Sequence, residues 1–320
     1  MKESPFAEAV LNSLVQTCPN GLIGKLKYRS LSKARAMLAH NEKRLVRYRL
    51  DGTELLLPLS HELPLFRRSH PQYSCNIGRI TSSVLQKYPS ATIIDIGANV
   101  GDTAAIIRAN SKAPILCIEG DAYFFRLLQI NVARSGMRDI EACFAFVGAE
   151  QCEIRGGLRH ASGTASYSSS AAQSTNQIPL SDILEKFPNF RQSKLLKIDT
   201  DGFDCQIVAA ELKWISEARP VTFIEYDPYL TRAQGYSSSN IFSEMASVGY
   251  ELAVFWENTG EYMLTAKLAD HTLIEDIHLR YSRSLGRSYV DIAFIHEEDR
   301  ELAWKIREAE KAISIDQVSA

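Results

Sequence analysis

Two short stretches of this 320-residue chain carry acidic side chains where an α/β protein opens a ligand cleft. The first is Thr92-Ile-Ile-Asp95-Ile-Gly97-Ala98-Asn99-Val-Gly101-Asp102, with Glu119 ending the next apolar run. The second is Leu195-Leu-Lys197-Ile-Asp199-Thr-Asp201-Gly202-Phe-Asp204. In the first, apolar and β-branched residues predict a strand, a Gly/Asn-rich turn ends it, and Asp102 opens a helix on Thr103 to Ile107. Such a turn lets a ligand meet bare backbone, because glycine has no Cβ and Asn visits the left-handed region more readily than other side chains. Glu119 falls 22 positions beyond Gly97, near the spacing of about 20 at which an acid takes ribose hydroxyls in nucleotide-binding units. Set against this, Asp95 and Glu119 are also the residue types that cap helices after strands.

The dinucleotide fingerprint G-x-G-x-x-G would require glycine where this chain has Gly97, Asn99 and Asp102. Two of those positions fail, and Asp102 would stand at the helix N-terminus, where a pyrophosphate is expected. An NAD-dependent oxidoreductase is therefore the weaker alternative. The pattern present, G-x-N-x-G with Asp95 two residues before the first glycine, is similar to that of S-adenosylmethionine-dependent methyltransferases. Their cofactor has an amino acid end, a sulfonium and an adenosine, and no phosphate. By that likeness the cofactor-binding candidates are Asp95, Gly97, Ala98, Asn99, Gly101, Glu119 and Asp121.

In the second stretch Asp199 ends a strand and points into the cleft, which makes it the stronger catalytic candidate. Asp201 is the second candidate, although it also reads as an N-cap with Asp204 three residues on. A calcium loop does not fit: with Gly202 at its invariant glycine, the first and last ligand positions fall on Lys197 and Val208. Asp199, Asp201 and Glu225 as Mg²⁺ ligands would make a metal-assisted variant, but no His joins them and no metal is assigned. The DNA-adenine methyltransferase pattern, an Asn or Asp before Pro-Pro-aromatic, is missing, and Tyr226-Asp227-Pro228-Tyr229 has one Pro too few.

Strands are expected at Thr92–Ile96, Ile115–Ile118, Glu141–Val147, Leu195–Ile198, Val221–Glu225, Glu251–Trp256 and Val290–His296. Helices are expected at Asp102–Ala109, Ala122–Arg134, Phe203–Ser216 and Asn240–Val248. Alternating strands and helices imply an α/β fold with a seven-stranded, mostly parallel sheet covered on both faces, the Rossmann-like class I methyltransferase architecture. Its ligand would sit beyond the carboxyl ends of the strands, where Asp95, Glu119, Asp199 and Glu225 all fall. Residues 1–90 read as an N-terminal extension without chemistry, with helical spacing at Phe6–Val15 and Leu31–Ala39 and an Asp51-Gly52 hairpin. Residues 91–320 read as the methyltransferase domain, with insertions near 156–177 and 259–287. A closing helix over Glu298–Ile313 puts Leu302, Ile306, Ala309 and Ile313 on one face and pairs Glu301 with Lys305.

A net charge of -2 carries no general nucleic-acid signal. Locally, Lys25 to Arg49 holds nine basic residues against Glu42 alone, a patch for peripheral contact with anionic groups or simply a solvated face. The six cysteines form no C-x-x-C pair, with Cys117 and Cys143 expected as buried small hydrophobes. No apolar run is long enough for a membrane span or leader. The expectation is a cytoplasmic enzyme with a small-molecule or glycan substrate, no nucleic-acid partner and an undetermined oligomeric state.

The order of motifs resembles the FkbM-type methyltransferase family over roughly residues 90–230. The residues that carry it are Ile94 to Thr103, Glu119, Ile178-Pro-Leu180-Ser-Asp182-Ile-Leu184, Leu196 to Asp204, and Phe223-Ile-Glu225. Thr200-Asp201-Gly202 stands where the family more often has Val-Glu-Gly, and Glu119-Gly120 where it often has Glu-Pro. The resemblance implies O-methylation of hydroxyls on sugars, glycolipids or related natural products. A non-catalytic S-adenosyl-binding module is the alternative from another class.

Overall fold

The computed structural model describes residues 2–40, 44–161, 163–168, 174–284 and 288–318. Its N-terminal part contains β1 (Lys2–Glu3), α1 (Pro5–Gln16), α2 (Gly21–Ala39), β2 (Arg44–Leu50), β3 (Thr53–Pro58), α3 (Leu63–Ser69) and α4 (Cys75–Lys87). The β2–β3 hairpin turns at Asp51-Gly52, both at positive φ, as the sequence requires. Helices α3 and α4 are not among the expected elements, although Ile77, Ile80 and Val84 of α4 have helical spacing. Of the basic stretch, Glu42 and Lys43 lie outside the described residues, whereas Arg35 is buried and Arg47 pairs with Glu8. The stretch is therefore not one uniform solvated face.

The chain continues through β4 (Ile93–Ile96), α5 (Asp102–Asn110), β5 (Ile115–Glu119), α6 (Ala122–Ser135) and β6 (Ile140–Phe144). An excursion follows, with β7 (Phe146–Val147), β8 (Cys152–Arg155), β9 (Gly157–Ala161), β10 (Thr164–Ser168) and β11 (Ser174–Ile178). The expected strand Glu141–Val147 thus breaks at Ala145, and its last residues join β11 and β8 in a separate small sheet. Strands β9 and β10 form a hairpin within the insertion expected near 156–177, of which 162 and 169–173 lie outside the described residues.

The second half contains α7 (Leu180–Lys186), β12 (Leu195–Ile198), α8 (Asp204–Ala210), α9 (Leu212–Ala218), β13 (Val221–Tyr226), α10 (Pro228–Ala233) and α11 (Asn240–Ser247). It ends with β14 (Tyr250–Glu257), β15 (Tyr262–Lys267), α12 (His271–Ser282), β16 (Val290–His296) and α13 (Arg300–Val318). The expected helix Phe203–Ser216 is two helices meeting at Glu211. Of the insertion read at 259–287, residues 285–287 lie outside the described set.

The central sheet has eight strands, ordered β15, β14, β16, β13, β12, β4, β5, β6. The expected count of seven falls short by β15, the strand placed in the 259–287 insertion, which pairs with the edge of β14. Strands β13, β12, β4, β5 and β6 run parallel, and β16 runs antiparallel between β13 and β14. The chain enters at β4, winds outward through β5 and β6, then returns to the other side of β4 at β12. That reversal is the switch point at which doubly wound sheets bind ligands.

Side chains alternate between two cores, as a sheet covered on both faces requires. Ile94, Ile96, Leu116, Ile118, Leu196 and Ile198 pack with α7, α8, α11 and α12. Ile93, Ile115, Cys117 and Leu195 face α4, α5, α6, α13 and the N-terminal sheet. Asp95 and Lys197 share that second face, opposite each other in register. Asn131 of α6 joins the N-terminal sheet to the β4–α5 loop: its Oδ1 accepts from Leu56 N (2.7 Å), and its Nδ2 donates to the carbonyls of Leu56 (3.1 Å) and Val100 (2.8 Å).

In α13 the buried stripe is Leu302, Ala303, Ile306 and Glu310, and Ala309 is exposed. The shift from the expected face follows Arg79 of α4, whose guanidinium holds both oxygens of Glu310 at 2.6 and 2.7 Å. Cys117 is buried as expected, and Cys143 only half-buried. No described helix is long and apolar enough to cross a membrane.

Candidate active site

A cavity of about 420 Å³ lies over the switch point, within the roughly 300–1,000 Å³ usual for small-molecule sites. Its floor is made by Ile96 and Gly97 after β4, Glu119 and Gly120 after β5, Asp199 to Asp201 after β12, and Glu225 and Asp227 around the end of β13. Phe66, Tyr73, Tyr167 and Tyr289 supply aromatic walls, and His61 and Glu62 also line the cavity. Residues below 90 therefore contribute to the site, against the expectation that they carry no chemistry. Burial holds the His61 imidazole down at about 4, so it is neutral near pH 7.

Lys197 organises the floor. It projects from a strand whose other residues are aliphatic, and register sets it against Asp95. Its Nζ lies 3.0 Å from Asp95 Oδ1, 3.4 Å from Asp199 Oδ2 and 3.2 Å from the Gly97 carbonyl oxygen. Burial alone would lower the lysine pKa, but the carboxylates of Asp199 and Asp95 outweigh it and hold the ammonium charged. Asp95 is fully buried and does not line the cavity. Among the described residues, Lys197 is its one polar side-chain partner.

Glu119 uses both oxygens on backbone: Oε1 accepts from Asp121 N (2.7 Å) and Oε2 from Asn99 N (2.8 Å). It thereby ties the loops after β4 and β5 together. Burial pushes its pKa up to about 7, with the two amides pulling the other way. Gly97 sits at φ +76°, and a Cβ there would lie 1.8 Å from the Asp199 carbonyl oxygen, so no other residue fits. Asn99 also adopts positive φ, as its type permits. Asp102, at the N-terminus of α5, lines the cavity, and burial raises its pKa.

Of the cofactor candidates, Gly97, Asn99 and Glu119 line the cavity, while Asp95, Ala98, Gly101 and Asp121 do not. Asp121 caps α6, accepting from Tyr123 N (2.9 Å) and Phe124 N (3.0 Å), and meets His160 Nε2 at 2.8 Å. Asp199 and Asp201 both line the cavity. The capping reading of Asp201 needs correction: it adopts φ +52°, and α8 has Phe203 at its N-cap with no side-chain cap. Asp204 instead folds back on the preceding loop, accepting from Thr200 Oγ1 (2.9 Å) and Thr200 N (3.3 Å). Burial pushes it up to about 7. Among the described residues no three His, Cys, Asp or Glu side chains gather closely enough to hold a metal ion, so Asp199, Asp201 and Glu225 form no such group.

Lys197, His61, Tyr73, Asp102, Tyr289 and the Asn76–Asp291 pair (3.1 Å) complete the site beyond the sequence candidates, and Glu225 lines it at the strand end where the sequence put it. A lysine inside a four-residue apolar strand was the one available signal. The aromatic walls come from distant segments that no local pattern connects.

Strand order and cavity together define a Rossmann-like α/β protein with an open cavity at its switch point. Residues 95–252 match the model of the methyltransferase FkbM domain. That stretch, just under half of the chain, is similar to the FkbM methyltransferases, a family that uses S-adenosylmethionine as cofactor. Similar solved structures include a methyltransferase FkbM from Methylobacillus flagellatus KT, at 12% identity and TM-score 0.41, covering 89% of this chain and 58% of that one. This chain therefore spans under two thirds of that protein. Others are an O-methyltransferase from Bacillus cereus in complex with SAH (14%, TM-score 0.37, 68% and 80% coverage) and a precorrin-6y C5,15-methyltransferase from Geobacter metallireducens GS-15 (11%, TM-score 0.34, 64% and 78%). At such low scores the fold assignment rests on the strand order itself. No curated protein gives a significant sequence match.

Proposed function

We propose that the cavity is the methyl-transfer site and that the acceptor is a hydroxyl of a sugar, a glycolipid or a related natural product. The observation that carries the reading is the state of Asp199. It keeps 47% of its side chain exposed at a cavity wall, beside a charged lysine, while Asp95 and Glu119 are buried and engaged. A carboxylate so placed can accept a hydrogen bond from an entering hydroxyl and take its proton.

The cavity also fits the cofactor. Its acids suit a ligand with sulfonium and ammonium groups, the bare backbone at Gly97 admits close approach, and Asp102 at a helix N-terminus would repel a phosphate. When bound, S-adenosylmethionine supplies a methyl group already activated on sulfur. The protein's contribution is then mainly positioning. Gly97 and Asn99 present backbone to the cofactor, and the remaining lone pairs of Glu119 take ribose hydroxyls. Lys197 fixes the Asp199 carboxylate, and Asp201 assists at the acceptor. Asp95 acts through Lys197, and Ala98, Gly101 and Asp121 shape the two loops; these four are positioning residues. Phe66, Tyr73, Tyr167 and Tyr289 offer flat faces for an acceptor ring.

The test is Asp199→Asn. Turnover is expected to fall about 10²–10⁴-fold while adenosylhomocysteine binding by calorimetry stays unchanged. Full turnover in this variant would remove Asp199 from the reaction. Labelled methyl transfer into the host's glycan and lipid extracts tests the acceptor class, and label found only in protein or nucleic acid would refute it.

A further inference from the structure

Helix α2 buries a single side chain, Arg35. Leu22, Ile23, Leu26 and Met37 stand 76%, 83%, 55% and 80% exposed, and at about 100° per residue they share an arc of about 100°. Lys33 lies within that arc, Lys25 and Arg29 on one flank and Lys27 on the other, all exposed. The helix contains no acidic residue, and these four cations pair with no described residue. A helix facing only water carries polar groups at such positions, so an aliphatic stripe edged by cations calls for a cover.

We propose that α2 is an interfacial helix that docks the enzyme on an anionic lipid bilayer. Leu22, Ile23, Leu26 and Met37 enter the acyl boundary, and Lys25, Lys27, Arg29 and Lys33 meet the headgroups. Charge decides among occupants. A second copy of α2 would bring cations against cations, and single-stranded nucleic acid is met by stacking aromatics, whereas this stripe is aliphatic. The helix does not span, because no described helix is long and apolar enough to do so.

Arg35, on the opposite side of α2, ties it to the cavity. Its Nε donates to the Leu59 carbonyl, its Nη2 to those of Ser60 and His61, each at 3.0 Å, and its Nη1 to Glu62 Oε1 at 2.9 Å. His61 and Glu62 line the cavity, so the helix that would meet the lipid is hydrogen-bonded directly to the cavity lining.

The experiment is sedimentation of the full chain with phosphatidylcholine vesicles, with and without phosphatidylglycerol. Binding is expected only with phosphatidylglycerol. Leu22→Ser combined with Ile23→Ser should weaken it at least about tenfold with an unchanged thermal midpoint. Each of Lys25→Gln, Lys27→Gln and Arg29→Gln should cost about fivefold at low salt. Three results would overturn the proposal: wild type staying in the supernatant with phosphatidylglycerol, the serine variant binding as tightly as wild type, or that variant converting a wild-type dimer to monomer by light scattering. None of these depends on methyl transfer, so docking and the reading of the cavity stand or fall separately.

Discussion

Glu119 and Asp199 flank β4 from its two neighbouring strands, and their carboxylates live in contrasting surroundings. Glu119 is buried, and each of its oxygens takes a backbone amide from a different loop. Asp199 has one long contact, 3.4 Å to Lys197, and nearly half its side chain open. Both stand at the ends of parallel strands of one mixed sheet, and both read in the sequence as strand-end acids. The contrast teaches that a strand-end acid becomes available for chemistry only where the local backbone leaves it without donors. The loops after β4 and β5 each turn one amide toward Glu119. The loop after β12 spends its amides on Asp204 instead, which leaves Asp199 to the cavity.

The sharpest way to break this contrast is to remove the cation behind Asp199. Lys197→Met leaves Asp95 buried without a partner and is expected to lower unfolding free energy by about 3–5 kcal/mol, read by urea denaturation. Adding Asp95→Asn should restore part of that loss. A single variant as stable as wild type would show that Asp95 is neutral in the fold and that Lys197 serves Asp199 alone.

A smaller effect is expected on the other side of β4. Glu119→Gln has one acceptor and cannot serve both Asn99 N and Asp121 N, so one buried amide loses its partner at a cost of about 1–3 kcal/mol. Adenosylhomocysteine affinity should fall about tenfold or more with little change in acceptor KM, measured by calorimetry and steady-state kinetics. A change confined to the acceptor would reverse the roles given to the two acids.

The smallest effect is in pH dependence. Burial pushes Asp291 up to about 7, with the Asn76 hydrogen bond opposing. Its folded pKa thus exceeds its unfolded value, so the folded state binds the extra proton. The stability this gives is complete below about pH 4 and is lost as pH rises through about 7. Asp291→Asn should gain on wild type between pH 5 and 8 by on the order of 1 kcal/mol, seen as converging or crossing thermal midpoints. Midpoints that stay parallel would mean Asp291 is ionised throughout.

Much of the fold was legible because the strands that build it are short, apolar and punctuated. The strand positions of β4, β5, β12 and β13 follow from runs such as Ile93-Ile94 and Leu195-Leu196, and the turn at Gly97 from its glycine and asparagine. What was not legible depends on partners far away in sequence. Strand β15 looked like part of an insertion because only the edge of β14 makes it a sheet member. Ala309 has the right spacing for the α13 core face, yet Glu310 takes the buried place because Arg79 of α4 waits there. At the site, the acids were visible as residues, but whether each would cap, pair or stay open was decided by loop amides that leave no trace in residue type. Asp121 illustrates this, a candidate whose oxygens cap α6 and meet His160.

One buried amide side chain sets a limit on how this chain can be taken apart. Asn131 offers its donors and acceptor to Leu56 on one side and Val100 on the other, so the first β-hairpin and the β4–α5 turn are stitched by a residue in α6. A shortened polypeptide begun at residue 91 would strand that amide in a greasy, half-exposed hollow. Chimeras that trade the leading ninety or so residues between relatives would inherit the same mismatch unless the hairpin edge travels with its asparagine.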